Sequence, residues 1–533
     1  MKSRPLLEGA GLAALYITPF ASDFLAPGLG DAYHRVHPLT SIYRAILIVI
    51  ALVWAAATMG FFLLERVPPR WQRVGWFIPV ILLPWLFFRS MTEAFADLPA
   101  TASHIMLVSH YLSPAIAVLG LLLLLFGSVV FDHCMRGVRI CYAVAAFALL
   151  VIAPPISYHA FRYEPRERLS FERANLPPVS PSAPRIVWIL MDELSYDQVF
   201  PSRQSDVSLP NFDSLATSSS VFSAIRPVGI YTENVLPALL LGRSVVALRK
   251  PYADPPAYRS TPNGPWQRFS QNETIFGEAH SDGWTTGVAG WYNPYCRLLP
   301  DVLDRCSWQY SEPGRVDLAG GLGSTNSVLE NIFAMVPFRG KINILLHRPI
   351  SGTTDPHLSD YDAVMAQAED VLKDSRIRLV FVHLPVPHPP GIFDRKLQAF
   401  SDRGTYLDNL VLADQSLGIL RKVLESTPAA DNTTLIVSSD HSWRTSLWKR
   451  TAGWSAEEAH ASQGRYDPRP VLMVKLPGST VGQVIANPVD ALVVHRILES
   501  LLRGGMQTPI DLKKLVGQPP QETNVARTSS NRN

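Results

Sequence analysis

Two apolar runs, far apart in the chain, each end on adjacent side chains able to bind a metal. Arg185-Ile186-Val187-Trp188-Ile189-Leu190-Met191 stops at Asp192-Glu193, and Thr434-Leu435-Ile436-Val437-Ser438-Ser439 stops at Asp440-His441. Both runs have the length and β-branched content of a fully buried parallel strand. In an open α/β sheet, ligands bind just beyond the carboxyl ends of the strands. Strands paired there would bring three carboxylates and an imidazole to one sheet edge, a donor set for a divalent cation. The pattern predicts an enzyme.

Those strands need a sheet and helices to hold them. From Arg185 onward, short apolar runs alternate with helical periodicity, which predicts an α/β domain with a mainly parallel central sheet flanked by helices. Leu379–Leu384 and Val471–Leu476 are further expected strands, and Tyr406–Leu424 an expected helix leading into the Thr434 strand. Phe161–Pro184 turns from charged to Pro- and Ser-rich and reads as a linker. The polar tail from Gly517 is expected to be disordered. The division is then 1–160, 161–184, 185–516 and 517–533. A chain of 533 residues is too long for a single core.

The first of these divisions is a membrane region. Hydrophobic residues make up 47% of the chain and charged ones only 17%, and the excess lies before Phe161. Five spans are expected, at about Gly9–Leu29, Tyr43–Leu64, Val74–Phe88, Ile105–Phe131 and Ile140–Tyr158; a span needs about 20 mostly apolar residues. Lys2, Arg4, Arg66, Arg70, Arg73, Arg136 and Arg139 fall on one side, and Asp31, Glu93 and Asp97 on the other. The positive-inside rule places the N-terminus in the cytoplasm and the large domain outside, as in a multi-pass inner-membrane protein with a periplasmic domain. Cys296 and Cys306 lie close together in that outer domain, where a disulfide persists; two buried free thiols are the alternative. The formal net charge of +3 gives no basis for a nucleic-acid partner.

Further segments carry a resemblance. Tyr231-Thr232-Glu233-Asn234-Val235-Leu236-Pro237 leads into Ala238-Leu239-Leu240-Leu241-Gly242-Arg243; Leu209-Pro210-Asn211-Phe212 follows the first strand; His383-Leu384-Pro385 precedes His388-Pro389. In order from Arg185 to Gly478, these resemble the alkaline phosphatase and sulfatase superfamily. The resemblance implies that Thr232 is the nucleophile at a helix start, with Arg243 supporting that helix. Sulfatases need Cys or Ser there, within Cys-x-Pro-Ser-Arg, for conversion to formylglycine; here Thr232 is followed by Asn234-Val235-Leu236. A Thr with a Glu, an Asp and a His, behind five spans, is similar to membrane-bound phosphoethanolamine and phosphoglycerol transferases and lipoteichoic acid synthases.

The chemistry agrees. A threonine hydroxyl is a poor nucleophile that metal coordination activates. Glu193, Asp440 and His441 with Thr232 make an O/N site suited to zinc or manganese, with magnesium or calcium also compatible. Asp192 is either a further ligand or a group that orients the ligands. His388 faces the transferred group, a second metal or solvent, and Arg444 pairs with a phosphate or sulfate oxygen or with a surface carboxylate. His383 points into the site or the core. His460 reads as a solvated histidine, and Trp291, Tyr292 and Tyr295 as core rather than a head-group cleft. The expected activity is transfer of a phosphorylated head group from a membrane phospholipid to a glycan or lipid acceptor through a phosphothreonine. The alternatives are a membrane-bound hydrolase of phosphate or sulfate esters, and a catalytically silent sensor or scaffold.

Overall fold

The computed structural model describes residues 4–25, 39–94, 115, 118–122, 125, 128–161, 169–249, 255–310, 328–329, 332, 335, 356–451 and 453–517. The chain divides into two compact units, one built mainly on Met1–Glu167, the other on Arg168–Arg249, Pro255–Pro313 and Thr354–Asn533.

The first unit is helical: α1 (Arg4–Leu25), α2 (Leu39–Leu64), α3 (Pro69–Ala94), α4 (Ser128–Ala145) and α5 (Ala148–Phe161). Two stretches among the described residues are long and apolar enough to cross a membrane, Ser41–Leu64 and Val129–Phe161. The second runs through α4 and α5, so the helical stretch at the expected fifth span starts before Ile140. The expected first and third spans fall in α1 and α3, whose polar content keeps them below that standard. The Glu8 carboxylate of α1 is fully buried against Arg139, with Oε1–Nε at 2.6 Å, and α3 contains Pro79 and Pro84 besides Arg70 and Arg73. Most of the expected Ile105–Phe131 span, and the tail beyond Gly517, lie outside the described residues. Val328 and Met335 pack with Ile17, Ile46 and Ile156 in this unit's core.

The second unit is built on β1 (Ser170–Glu172), β2 (Arg185–Met191), β3 (Ser220–Phe222), β4 (Thr286–Trp291), β5 (Arg305–Gln309), β6 (Leu379–Leu384), β7 (Thr433–Ser438), β8 (Leu472–Lys475) and β9 (Gln483–Ile485). They form one nine-stranded sheet in the order β1-β5-β4-β6-β2-β7-β8-β3-β9. The centre is parallel: Leu379 pairs with Ile186 through to Leu384 with Met191, and Thr433 with Arg185 through to Ser438 with Leu190. Every residue of β2, β6 and β7 is buried, as continuous apolar runs covered on both faces require. The sheet as a whole is mixed, because β1 runs antiparallel to β5 and β8 antiparallel to both β7 and β3. The segment after β7 leaves and re-enters at the same sheet edge, Ser439 donating its N–H to the Val471 carbonyl at 3.0 Å, so β8 must run backwards along β7.

Six helices bear on the site: α6 (Tyr196–Val199), α7 (Thr232–Leu241), α8 (Tyr295–Leu298), α9 (Pro356–Lys373), α10 (Tyr406–Glu425) and α11 (Thr445–Trp448). Helix α10 starts at a capping box in which Thr405 and Asp408 satisfy each other's backbone N–H groups. Its Leu410, Leu417 and Leu420 pack with Val187, Ile189 and Val437 in the main core. Helix α7 ends at Gly242 in the left-handed region, φ +66°. A Cβ there would lie 2.4 Å from Cδ2 of His495. Gly242→Ala is therefore expected to cost at least about 1–2 kcal/mol for the backbone conformation alone, read as a lower denaturation midpoint of the catalytic unit.

Candidate active site

Because β2 and β7 are parallel neighbours in register, the residues just past their ends meet. The Glu193 N–H donates to Asp440 Oδ1 at 3.2 Å, and the Leu194 N–H to Ser439 Oγ at 2.8 Å. Asp192, Glu193, Asp440 and His441 are all fully buried. Thr232, the first residue of α7, reaches the same point from the other side. Its hydroxyl donates to Asp192 Oδ2 at 3.1 Å and lies 3.3 Å from His441 Nε2. Tyr231 precedes it in extended conformation, so the Thr232 hydroxyl sits at the start of the helix, near the positive end of its dipole.

Among the described residues, two groups of side chains are close enough to hold an ion, and both include Asp192. Asp192, Asp440 and His441 offer ligand atoms within 4.8 Å of one another; so do Asp192, Glu193 and His388. Asp192 Oδ1 is buried and accepts no hydrogen bond, and Asp440 Oδ2 is buried 3.0 Å from His441 Nε2; a buried carboxylate oxygen left without a partner calls for a cation. Burial works against a charged His441, yet Asp440, with Oδ2 3.0 Å from Nε2, raises its pKa to about 9. Burial likewise works against the Asp440 carboxylate, and the imidazolium holds it well below the usual range. Without a metal the proton stays between them; a divalent ion would take the proton's place. The residues fit such an ion.

Glu193 is turned the other way. Its φ of +63° is uncommon for a residue with a Cβ. Its carboxylate accepts a hydrogen bond from Arg444 Nε, and shares the single Trp448 Nε1–H between Oε2 at 2.8 Å and Oε1 at 3.1 Å. Burial pushes the Glu193 pKa up, while Arg444 opposes that shift. Arg444 Nη2 also lies 3.1 Å from His388 Nε2. Burial drives the His388 pKa down to about 3, so its ring is neutral. Arg444 and His388 therefore flank the site together, both on a cleft of about 320 Å³ that Tyr231, Thr232, Trp291 and Tyr292 also line.

Three further residues support the site: Trp448, which the sequence did not single out, His383 and Tyr295. Trp448 lies four residues after Arg444, the spacing that puts both on one helical face, and this periodicity was the available signal. His383 is buried with Nε2 3.5 Å from Asp192 Oδ2, and its Nδ1 lies 2.9 Å from the Tyr295 hydroxyl. Only the fold brings Tyr295 there: α8, which carries it, is tied to β5 by the Cys296–Cys306 disulfide. Trp291 and Tyr292 line the cleft, Trp291 also belonging to the core, while Tyr295 is fully buried behind His383, as a core residue. Arg243 stands apart, with Nη1 3.1 Å from Glu273 Oε2 and 3.2 Å from the Tyr258 hydroxyl, and His460 is exposed.

The known proteins that the chain is similar to are distant. No curated protein sequence matches the chain. Among solved structures, Ps i-CgsB in complex with k-i-k-neocarrahexaose is 18% identical, over 62% of this chain and 73% of that one, at a TM-score of 0.40. The phosphonate monoester hydrolase of Agrobacterium radiobacter is 14% identical over 64% and 78%, at 0.39. A protein in the alkaline phosphatase superfamily from Vibrio parahaemolyticus is 15% identical over 60% and 66%, at 0.36. The sulfatase family profile matches residues 184–466, more than half of the chain and the whole stretch from β2 to the loop beyond α11, and on that match this chain belongs to the sulfatase family.

Proposed function

We propose that the chain is a metal-dependent hydrolase of phosphate esters working through a phosphothreonine at Thr232. The observation that carries this reading is the Thr232 hydroxyl, held at a helix start 3.1 Å from Asp192 and 3.3 Å from His441. A threonine cannot be converted to the formylglycine on which sulfate-ester cleavage in this family depends, so the attacking atom is the hydroxyl itself. Asp192, Asp440 and His441 with Thr232 Oγ1 would hold the ion, with Glu193 and His388 beside them; zinc or manganese suits these donors. When bound, the metal lowers the hydroxyl's pKa and offsets charge on the phosphoryl oxygens.

The chain's own groups do the remainder. The N–H groups of the first turn of α7 receive the phosphoryl oxygens and the helix dipole favours their charge. Arg444, held by Glu193, presents its guanidinium to the cleft. Thr232 Oγ1 forms a bond to phosphorus as the ester oxygen leaves with a proton. Water then attacks the phosphothreonine, releases the phosphate and returns the proton to Oγ1.

A second reading is favoured by the two membrane-length helices. In it an acceptor hydroxyl on a glycan or lipid replaces water, and a membrane phospholipid is the donor. Residues 1–160 would then hold a catalytic domain of 185–516 at the bilayer through a linker at 161–184. Its extracytoplasmic placement is supported by the disulfide at Cys296–Cys306, set against free, exposed Cys134 and Cys141. A silent scaffold is disfavoured, because the carboxylates, the imidazole and the hydroxyl all converge.

The test uses the detergent-purified full chain with zinc or manganese, supplied with bis(p-nitrophenyl) phosphate, p-nitrophenyl phosphate, p-nitrophenyl sulfate and head-group-labelled phospholipids. Cleavage of a phosphate ester, lost in Thr232→Ala, is expected. Turnover of the sulfate alone would overturn the reading. Release of diacylglycerol only when an acceptor is present would favour transfer over hydrolysis.

A further inference from the structure

Beyond α7 the chain makes a separate antiparallel sheet of three short strands, Ala247–Arg249, Ala257–Arg259 and Gln267–Arg268. Its register sets Ala247 opposite Arg259, Arg249 opposite Ala257, and Ala257 opposite Arg268. Residues directly opposite share a face, and so do residues two apart on one strand. Arg249, Arg259 and Arg268 therefore stand on one face, one from each strand, and Trp266 joins them two residues before Arg268. The other face carries Tyr258, which is buried, its hydroxyl accepting from Arg243 Nη1 at 3.2 Å. The arginine face is the outward one: Arg249 and Arg268 are exposed, and Arg259 and Trp266 half-buried.

Two of these cations share one ring. The guanidinium carbons of Arg249 and Arg259 lie 4.1 and 4.4 Å from the Trp266 ring centroid. Stacking of this kind uses the flat face of a guanidinium and leaves its N–H edge to meet an acceptor. Arg259 Nε is itself buried, and Nη1 reaches the Pro262 carbonyl at 3.5 Å, so Arg249 is the more open of the two. Carboxylates do not answer the charge. Among the described residues neither Arg249 nor Arg259 is in an ion pair, and Glu273, which follows the sheet, is taken by Arg243. From 247 to 268 the sequence holds Arg249, Lys250, Arg259 and Arg268 against a single acid, Asp254, with Lys250 and Asp254 outside the described residues. That excess equals the formal net charge of the whole chain, +3.

We infer that this face docks on the anionic phospholipid head groups of a bilayer. Arginine meets a phosphate with two parallel hydrogen bonds, and tryptophan favours the level of the head groups. Cations placed one to a strand present charge as a surface does, where a single small anion would call for side chains converging on one point. The chain also has two stretches long and apolar enough to cross a membrane, which sets a plane of lipid phosphates beside it. Each arginine brought to an anionic membrane strengthens the contact roughly fivefold. The face holds neither Thr232 nor a candidate metal ligand, and the inference is independent of the reaction proposed there. It bears on that site through position only: residues 242–246 are all that separate the first strand from the end of α7.

Arginine footprinting tests it on the full chain in nanodiscs, one set of phosphatidylcholine alone and another with phosphatidylglycerol added. Modification by phenylglyoxal, an uncharged reagent, is read peptide by peptide by mass spectrometry. Arg249 and Arg259 should react several-fold more slowly when phosphatidylglycerol is present, relative to the other exposed arginines of the catalytic unit, and high salt should erase the difference. In the double variant Arg249→Gln, Arg259→Gln the lipid effect at Arg268 should largely disappear. The melting temperature should hold, because both side chains face outward, so the loss reports the face and not the fold. Equal modification of Arg249 and Arg259 in the two lipids would overturn the inference. So would protection by soluble dextran sulfate with none by phosphatidylglycerol, which would assign the face to an anionic glycan.

Discussion

Thr232→Ala should lower phosphate-ester turnover by at least roughly a thousandfold, the scale seen when a covalent nucleophile is removed. The loss should fall on kcat, because the groups proposed to bind the ester, Arg444 and the amides of the first α7 turn, do not depend on the Thr232 side chain. Thr232→Ser keeps the hydroxyl and should retain part of the activity. Thr232 is nearly buried, and alanine in its place opens only a small space, so the melting temperature should change little. A large drop in stability with partial activity would assign Thr232 a helix-start role only.

Removal of the metal should have an effect of similar size. Exhaustive chelation is expected to abolish turnover, and added zinc or manganese to restore it in the wild type but not in Asp440→Asn. That substitution keeps the volume at 440 and removes the charge that pairs with His441. It also has a pH signature in the metal-free protein. The His441 pKa is raised to about 9 by Asp440, above its ordinary value near 6.5. The stability this contributes is fully present below that ordinary value and is lost as pH rises through about 9. Asp440→Asn should therefore destabilise the metal-free protein more at pH 6 than at pH 10. Denaturation midpoints at the two pH values, with bound metal counted by atomic emission, check both parts.

The centre of the sheet was legible because it is buried on both faces. Leu379–Leu384 and Arg185–Met191 are continuous apolar runs with the same limits in sequence and structure. The Thr434 strand starts one residue earlier, and α10 runs one residue longer. Strand direction was not legible. Leu472–Lys475 is as apolar as its neighbours, and only the 439–471 excursion makes it antiparallel and turns an expected mainly parallel sheet into a mixed one. The expected first span falls in α1, which is not among the stretches apolar enough to cross a membrane, since a count of apolar residues overlooks a Glu8 paired with a distant Arg139.

At the site, residue types adjacent in sequence predicted convergence but not side-chain direction. Asp192 and Glu193 look alike as a pair and both lie near His388, yet only Asp192 is also grouped with Asp440 and His441, while the Glu193 carboxylate is taken by Arg444 and Trp448, some 250 residues away in sequence. Glu193 has the unusual φ, and no local pattern announces it. Tyr295 beside His383 is another contact that only the assembled sheet creates.

The central claim is that a covalent phosphothreonine forms on Thr232, and the stereochemical course at phosphorus tests it most directly. A phosphodiester made chiral at phosphorus by sulfur and oxygen-isotope substitution, turned over by the full chain, reports the number of displacements, whether water or an alcohol is the final acceptor. Two in-line displacements, first by Thr232 and then by the acceptor, give net retention, which is the result predicted. Net inversion would mean a single direct attack on the ester, and would contradict a nucleophilic Thr232.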